Sequence, residues 1–207
     1  AYAPLFSGLQ PQDAAEVVAA LREQGIPYRL AAEGTTILVP AQRVYETRLD
    51  LASQGLPRGG VIGFEAFQQT ALGMTDFERQ VRYLWALQGE LTRTIRSLAE
   101  IADARVHIVL PERRLFLREE REPTASILVH LRPGASLSPE QVRGIIHLVA
   151  RSVEGLKPEN ITLLDSRGNL LSDGMAFGQP VGGVTLADRL QLQRAYEREL
   201  ERSVQSM

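Results

Sequence analysis

The 207-residue sequence contains no cysteine, which removes disulfides, thiolate metal sites and a thiol nucleophile together and leaves the redox compartment open. No apolar stretch approaches the roughly 20 residues that a membrane helix requires, and no charged-then-apolar leader opens the chain. An excess of either charge is missing as well. The 23 basic and 25 acidic side chains leave a net charge of −2, with no basic patch able to displace counterions from a phosphate backbone. Nucleic acid is therefore not expected as a partner. No serine, histidine and acid placed at strand ends, no paired carboxylates in an apolar setting and no phosphate loop can be found, so no catalytic residue, cofactor or enzyme activity is expected. The chain opens in "AYAPLFSGL" without methionine and stops at Met207 inside a helical pattern. It is expected to be part of a longer protein, touching a membrane only through segments outside this sequence.

What is present is the composition of a folded domain, 44% hydrophobic and 23% charged. Ala14, Val17, Val18 and Leu21 follow Pro11 at helical spacing, and Gly25 ends that helix. "IPYRL" and "TTILV" read as a hairpin around Glu33 and Gly34, and Val44, Tyr45, Leu49 and Ala52 mark a second helix. Val61 to Phe64 is expected to add a short closing strand to this first module, residues 1–58, from within a glycine-rich linker, 59–74. "TDFE" at Thr75 is a capping box that starts a long helix, with Phe77, Val81, Leu84, Leu91, Ile95 and Leu98 on one face and Trp85 in core or interface. Strands follow at Ala104 to Leu110 and Ala125 to Arg132, then a helix from Pro139 capped by Ser138, and a strand at Asn160 to Asp165; these complete a second module, 75–172. A glycine-rich linker, 173–184, leads to a helix at 185–207 whose stripe of Leu192, Tyr196, Leu200 and Val204 reads as the start of a third module. The expected class is α+β: two small αββαβ modules, each a small sheet with helices on one face.

Between the two central strands of the second module runs "ERRLFLREEREP", Glu112 to Pro123, where four arginines and four glutamates enclose Leu115, Phe116 and Leu117. Exposed ion pairs are worth about 0–1 kcal/mol each and would not repay ordering such an arm. Burying each of the three apolar side chains is worth roughly 1.5–3 kcal/mol, so they are expected to be covered, by a second copy of the chain or by their own module. Arg113, Arg114, Leu115, Phe116, Leu117 and Arg118 are the candidate interface residues. The outward strand positions Arg105, His107, His130 and Arg132 extend that candidate surface. His107 and His130 are read as neighbours on the uncovered sheet face, where the flanking arginines oppose a metal ion and the chain offers no third ligand. "GVIG" at Gly60 matches the GxxG loop of KH domains but carries no charge, and "DSRGN" at Asp165 reads as a tight turn.

The segments "YAPLFSGLQPQDAAEVVAALREQGIPYRL", "GTTILVPAQRVYETRLDLASQGLP", "TDFERQVRYLWALQGELTRTI", "ARVHIVLPERRLFLREEREPTASILVHLRPG" and "LSPEQVRGIIHLVARSVEGLKPENITLLDSRGNLLS" resemble, in collinear order, the flagellar M-ring protein family of bacteria. The inner-ring lipoproteins of type III secretion injectisomes resemble the same two modules more loosely, and their lipid-anchored cysteine has no counterpart here. The resemblance implies ring-building modules on the outer (periplasmic) side of the cytoplasmic membrane. It further implies homo-oligomeric assembly into the MS ring of the basal body, around the export gate, with a cytoplasmic tail elsewhere in the parent protein that binds the rotor switch. It implies no catalysis. A small-molecule-binding regulatory module is the reading from another class, because paired α+β domains can hold ligands between them.

Overall fold

The computed structural model describes residues 1–64, 73–111 and 121–173. One compact unit spans Ala1–Ser172, and the second unit, Asp173–Met207, lies outside the described residues except for Asp173. The helix expected at 185–207 falls there.

The compact unit holds two three-stranded sheets. In the first, β1 (Tyr2–Phe6), β2 (Arg29–Ala31) and β3 (Thr36–Pro40) lie in the order β1-β3-β2, with both pairings antiparallel. Helices α1 (Pro11–Glu23) and α2 (Val44–Ser53) belong to it. The element order is therefore β-α-β-β-α, which corrects the expected αββαβ order while leaving the α+β class intact. The third strand is β1, at the start of the chain; Gly63 contributes only an isolated bridge to Ser7 where a closing strand was expected. The reason β1 escaped sequence reading is physical. It carries Pro4, tolerated because β1 is an edge strand, and a register shift between Pro4 and Phe6 buries the consecutive Leu5 and Phe6, which erases the alternation that marks a strand.

The second sheet follows the expected order. It is built from α3 (Asp76–Ile95), β4 (Ile101–Val109), β5 (Thr124–Leu131), α4 (Pro139–Ser152) and β6 (Ile161–Asp165). Strand order is β4-β5-β6, antiparallel then parallel, so α4 is the crossover that parallel neighbours require. Both predicted capping boxes form. The Glu78 amide donates to Thr75 Oγ1 at 3.2 Å and the Thr75 amide to Glu78 Oε2 at 3.0 Å; Gln141 and Ser138 repeat the exchange at 3.2 and 2.8 Å. "DSRGN" is the expected turn, with Asp165 Oδ2 accepting from Asn169 Nδ2 at 2.8 Å and Oδ1 from the amides of Asn169 and Arg167, both at 2.9 Å; these bonds, the Asn169 side chain's foremost, hold its carboxyl below the usual carboxylate range.

Helix α3 departs from its expected stripe. Leu87, Leu91, Thr94 and Ile95 are buried, but no residue from Asp76 to Ala86 is, and Phe77 and Trp85 are 74% and 68% exposed. Trp85 is thus not a core residue.

Helices α2 and α4 bring the two sheets together. They approach so closely that a Cβ on Gly144 would lie 3.1 Å from the Ser53 backbone, which explains a glycine inside α4 despite its cost to helix stability. Residues 57–64 connect the modules and are packed along this seam. The Gly59 amide donates to Asp13 Oδ1 at 3.2 Å, the Ile62 amide to the Arg151 carbonyl at 2.9 Å, and Ile62 and Phe64 are buried.

Candidate subunit interface

The alternation of β4 and β5 decides which side chains form the open face of the second sheet. Ala104, Val106 and Ile108 on β4, and Ala125, Ile127 and Val129 on β5, point into the core. The intervening positions are exposed: Asp103, Arg105, His107 and Val109 on β4, and Ser126, Leu128 and His130 on β5. Val109 and Leu128 are 50% and 45% exposed, so apolar surface lies between the charged groups.

The register separates two residues that sequence reasoning placed together. His107 faces Ser126, and His130 faces Asp103 four positions further along β5, roughly 13 Å away at the usual rise per residue. The histidine pair is therefore corrected to two separate surface side chains. Arg105 stands opposite Leu128. Arg132 is partly engaged, because its Nε donates to the Ala99 carbonyl at 2.9 Å.

Arg113, Arg114, Leu115, Phe116, Leu117 and Arg118 lie outside the described residues; the feet of the arm do not. Val109 pairs with Thr124, so the chain leaves and returns at one point of the sheet. On the outgoing side the Ile108 amide donates to Gln88 Oε1 of α3 at 2.8 Å. On the returning side Glu122 is held by Lys157 and by Asn160 Nδ2, the latter at 2.8 Å.

The seam contains the residue that sequence reading missed. Arg48 of α2 is buried, with Nε donating to the Leu5 carbonyl at 2.8 Å and Nη2 to the Pro4 carbonyl at 3.0 Å. Its Nη1 meets Glu90 Oε1 of α3 at 2.6 Å, and the guanidinium lies 4.4 Å from the Phe64 ring centroid. One planar fork thus joins β1, the connector and the second module's first helix. Burial lowers the Arg48 pKa from its ordinary value, and Glu90 opposes that shift. Burial would push the Glu90 carboxyl up, but hydrogen bonds from Arg48 and Arg93 hold it below its usual range. The signal was present in the spacing: Arg48 stands midway between Val44 and Ala52, on the apolar side of α2. His147 of α4 adds a second cross-link, its Nε2 lying 3.0 Å from the Pro57 carbonyl, and burial lowers its pKa.

Residues 65–172 match a family profile described as the secretory protein of YscJ/FliF RBM domain, and residues 2–56 match the FliF N-terminal domain. The chain belongs to the YscJ/FliF family. Within that family it is 42% identical over 200 residues to the flagellar M-ring protein of Salmonella typhimurium, an alignment covering 97% of this chain and 36% of that protein. Its identity to the flagellar M-ring protein of Aquifex aeolicus is 41%, covering 99% and 41% respectively. The chain therefore spans about two fifths of the length of these relatives. A solved fragment of FliF is 44% identical and covers 75% of this chain and 99% of its own, with a TM-score of 0.41. Among the described residues of this YscJ/FliF chain no group of three or more His, Cys, Asp or Glu side chains could hold a metal ion, and no helix is long and apolar enough to cross a membrane.

Proposed function

We propose that the chain is a structural, non-enzymatic ring-building part of a bacterial flagellar M-ring, standing on the periplasmic side of the cytoplasmic membrane. The observation that carries this reading is the open face of β4 and β5, where Val109 and Leu128 lie half-exposed among Arg105, His107 and His130. An antiparallel pair can leave one face to water, but apolar groups on that face are better used under a partner. Two relatives at 41–42% identity bear the name flagellar M-ring protein, which supports a second copy as that partner. The arm supplies the rest of the contact. Leu115, Phe116 and Leu117 seat on the adjoining copy, while Arg113, Arg114, Arg118 and Arg132 form a charged rim that sets register more than it adds affinity. The packed seam lets both modules enter the ring as one body. In the complete parent protein this ring surrounds the export gate and meets the rotor switch through its cytoplasmic part.

The test is Phe116→Asp in the full-length protein. Rings are expected to disappear from electron micrographs while the circular dichroism of the 207-residue chain stays unchanged. Rings that persist overturn the role of the arm.

A further inference from the structure

The first three turns of α3 carry large apolar side chains without burying any of them. Phe77, Val81, Leu84 and Trp85 recur at i, i+4, i+7 and i+8, so they share one side of the helix, and Arg82 flanks them. The twelve residues before Gln88 extend roughly 18 Å from where that side chain binds Ile108. Single exposed apolar side chains are ordinary; a stripe holding a phenylalanine and a tryptophan, both more than two-thirds exposed, calls for cover.

The first sheet has a complementary feature. Between α1 and the β2–β3 turn lies an apolar groove of about 320 Å³, lined by Leu9, Ala14, Val18 and Leu30, with Glu33 at its edge. That volume is at the lower end of the about 300–1,000 Å³ of small-molecule pockets, and Leu30 is 54% exposed at its mouth. The turn that walls it is strained. Ala32 and Glu33 have φ of +49° and +57°, a region that L side chains rarely occupy, and such strain collects where a surface is held for use.

We propose that this groove receives Phe77 and Trp85 from α3 of a second copy of the chain, with Arg82 meeting Glu33 at the rim. The proposal rests on the reading of the chain as a ring component. Stripe and groove match in apolar character and in edge charge, yet they occupy different modules of the chain. A contact between them joins copies head to tail, the arrangement that closes into rings. The second module of one subunit is thereby clasped to the first module of the next, at a surface separate from the open face of β4 and β5.

These 207 residues contain no cysteine, so once any cysteine elsewhere in the full-length protein is replaced by serine, an introduced pair is the sole source of disulfides. The full-length protein carrying Ala15→Cys and Gln80→Cys together, oxidised in membranes, is expected to give a ladder of covalent multimers, and each single variant none above a dimer. Trp85→Asp should remove the ladder. Glu33→Arg should cut its yield about tenfold, the ratio corresponding to about 1.4 kcal/mol, and adding Arg82→Glu should restore it. Rings in electron micrographs without a ladder overturn this inference and leave the ring reading standing. A bridge confined to the monomer band overturns it as well. Absence of both rings and ladder from the double-cysteine protein overturns the two readings together.

Discussion

The seam between the modules and the open face of the second sheet use the same residue types in opposite ways. In the seam, Arg48 is withdrawn from water and its guanidinium is bound on several sides, by two carbonyls, a carboxylate and an aromatic ring. On the open face Arg105 and His107 stand in water beside half-exposed Leu128 and Val109. A buried charge is tolerable only when its hydrogen bonds are nearly complete, which fixes geometry. An exposed charge contributes little to stability and instead governs which surface approaches. The seam is built to hold a fixed angle inside one subunit, whereas the face is built to be met.

The contrast is broken most severely at Arg48. Arg48→Leu leaves the Pro4 and Leu5 carbonyls unpaired and removes one partner of a buried ion pair, and chemical denaturation should show a loss of about 3–5 kcal/mol. His147 gives a smaller, pH-dependent effect. Because burial places its folded pKa below the ordinary value, protonation favours the unfolded chain; stability is full above that ordinary value and is lost as pH falls through the folded one. Thermal melts at about pH 8 and about pH 5.5, which bracket the ordinary histidine pKa of about 6.5, should show the decrease, and His147→Gln should flatten it. The smallest effect on the isolated chain belongs to the open face. Leu128→Ser should change its stability by no more than about 0.5 kcal/mol, because the side chain is already half in water. The same substitution in the full-length protein should reduce ring yield, and an unchanged yield would detach Leu128 from the interface.

Much of the fold was readable wherever local rules act alone. Thr75–Glu78 and Ser138–Gln141 announce helix starts, and the alternation of β4 and β5 correctly assigned Arg105, His107 and His130 to the outer face. The same logic failed at β1, because a bulge between Pro4 and Phe6 defeats a period of two. It left Trp85 open between core and interface, because helical spacing says which residues share a side but not whether anything lies beneath them; its exposure removes the core reading. The distance between His107 and His130 depends on register, which is set between strands and not within either one.

The chain alone determined the α+β class, the helix caps, the outward faces of β4 and β5 and the absence of thiol chemistry, since each depends on residues a few positions apart. Tertiary structure decided that β1 completes the first sheet, that Arg48 joins Pro4 to Glu90, and that the outer half of α3 is left uncovered. The first is a pairing across more than thirty positions, the second a contact across more than forty, and the third is the lack of one among the described residues. Local pattern fixes which way a side chain points, and only packing fixes what it finds there.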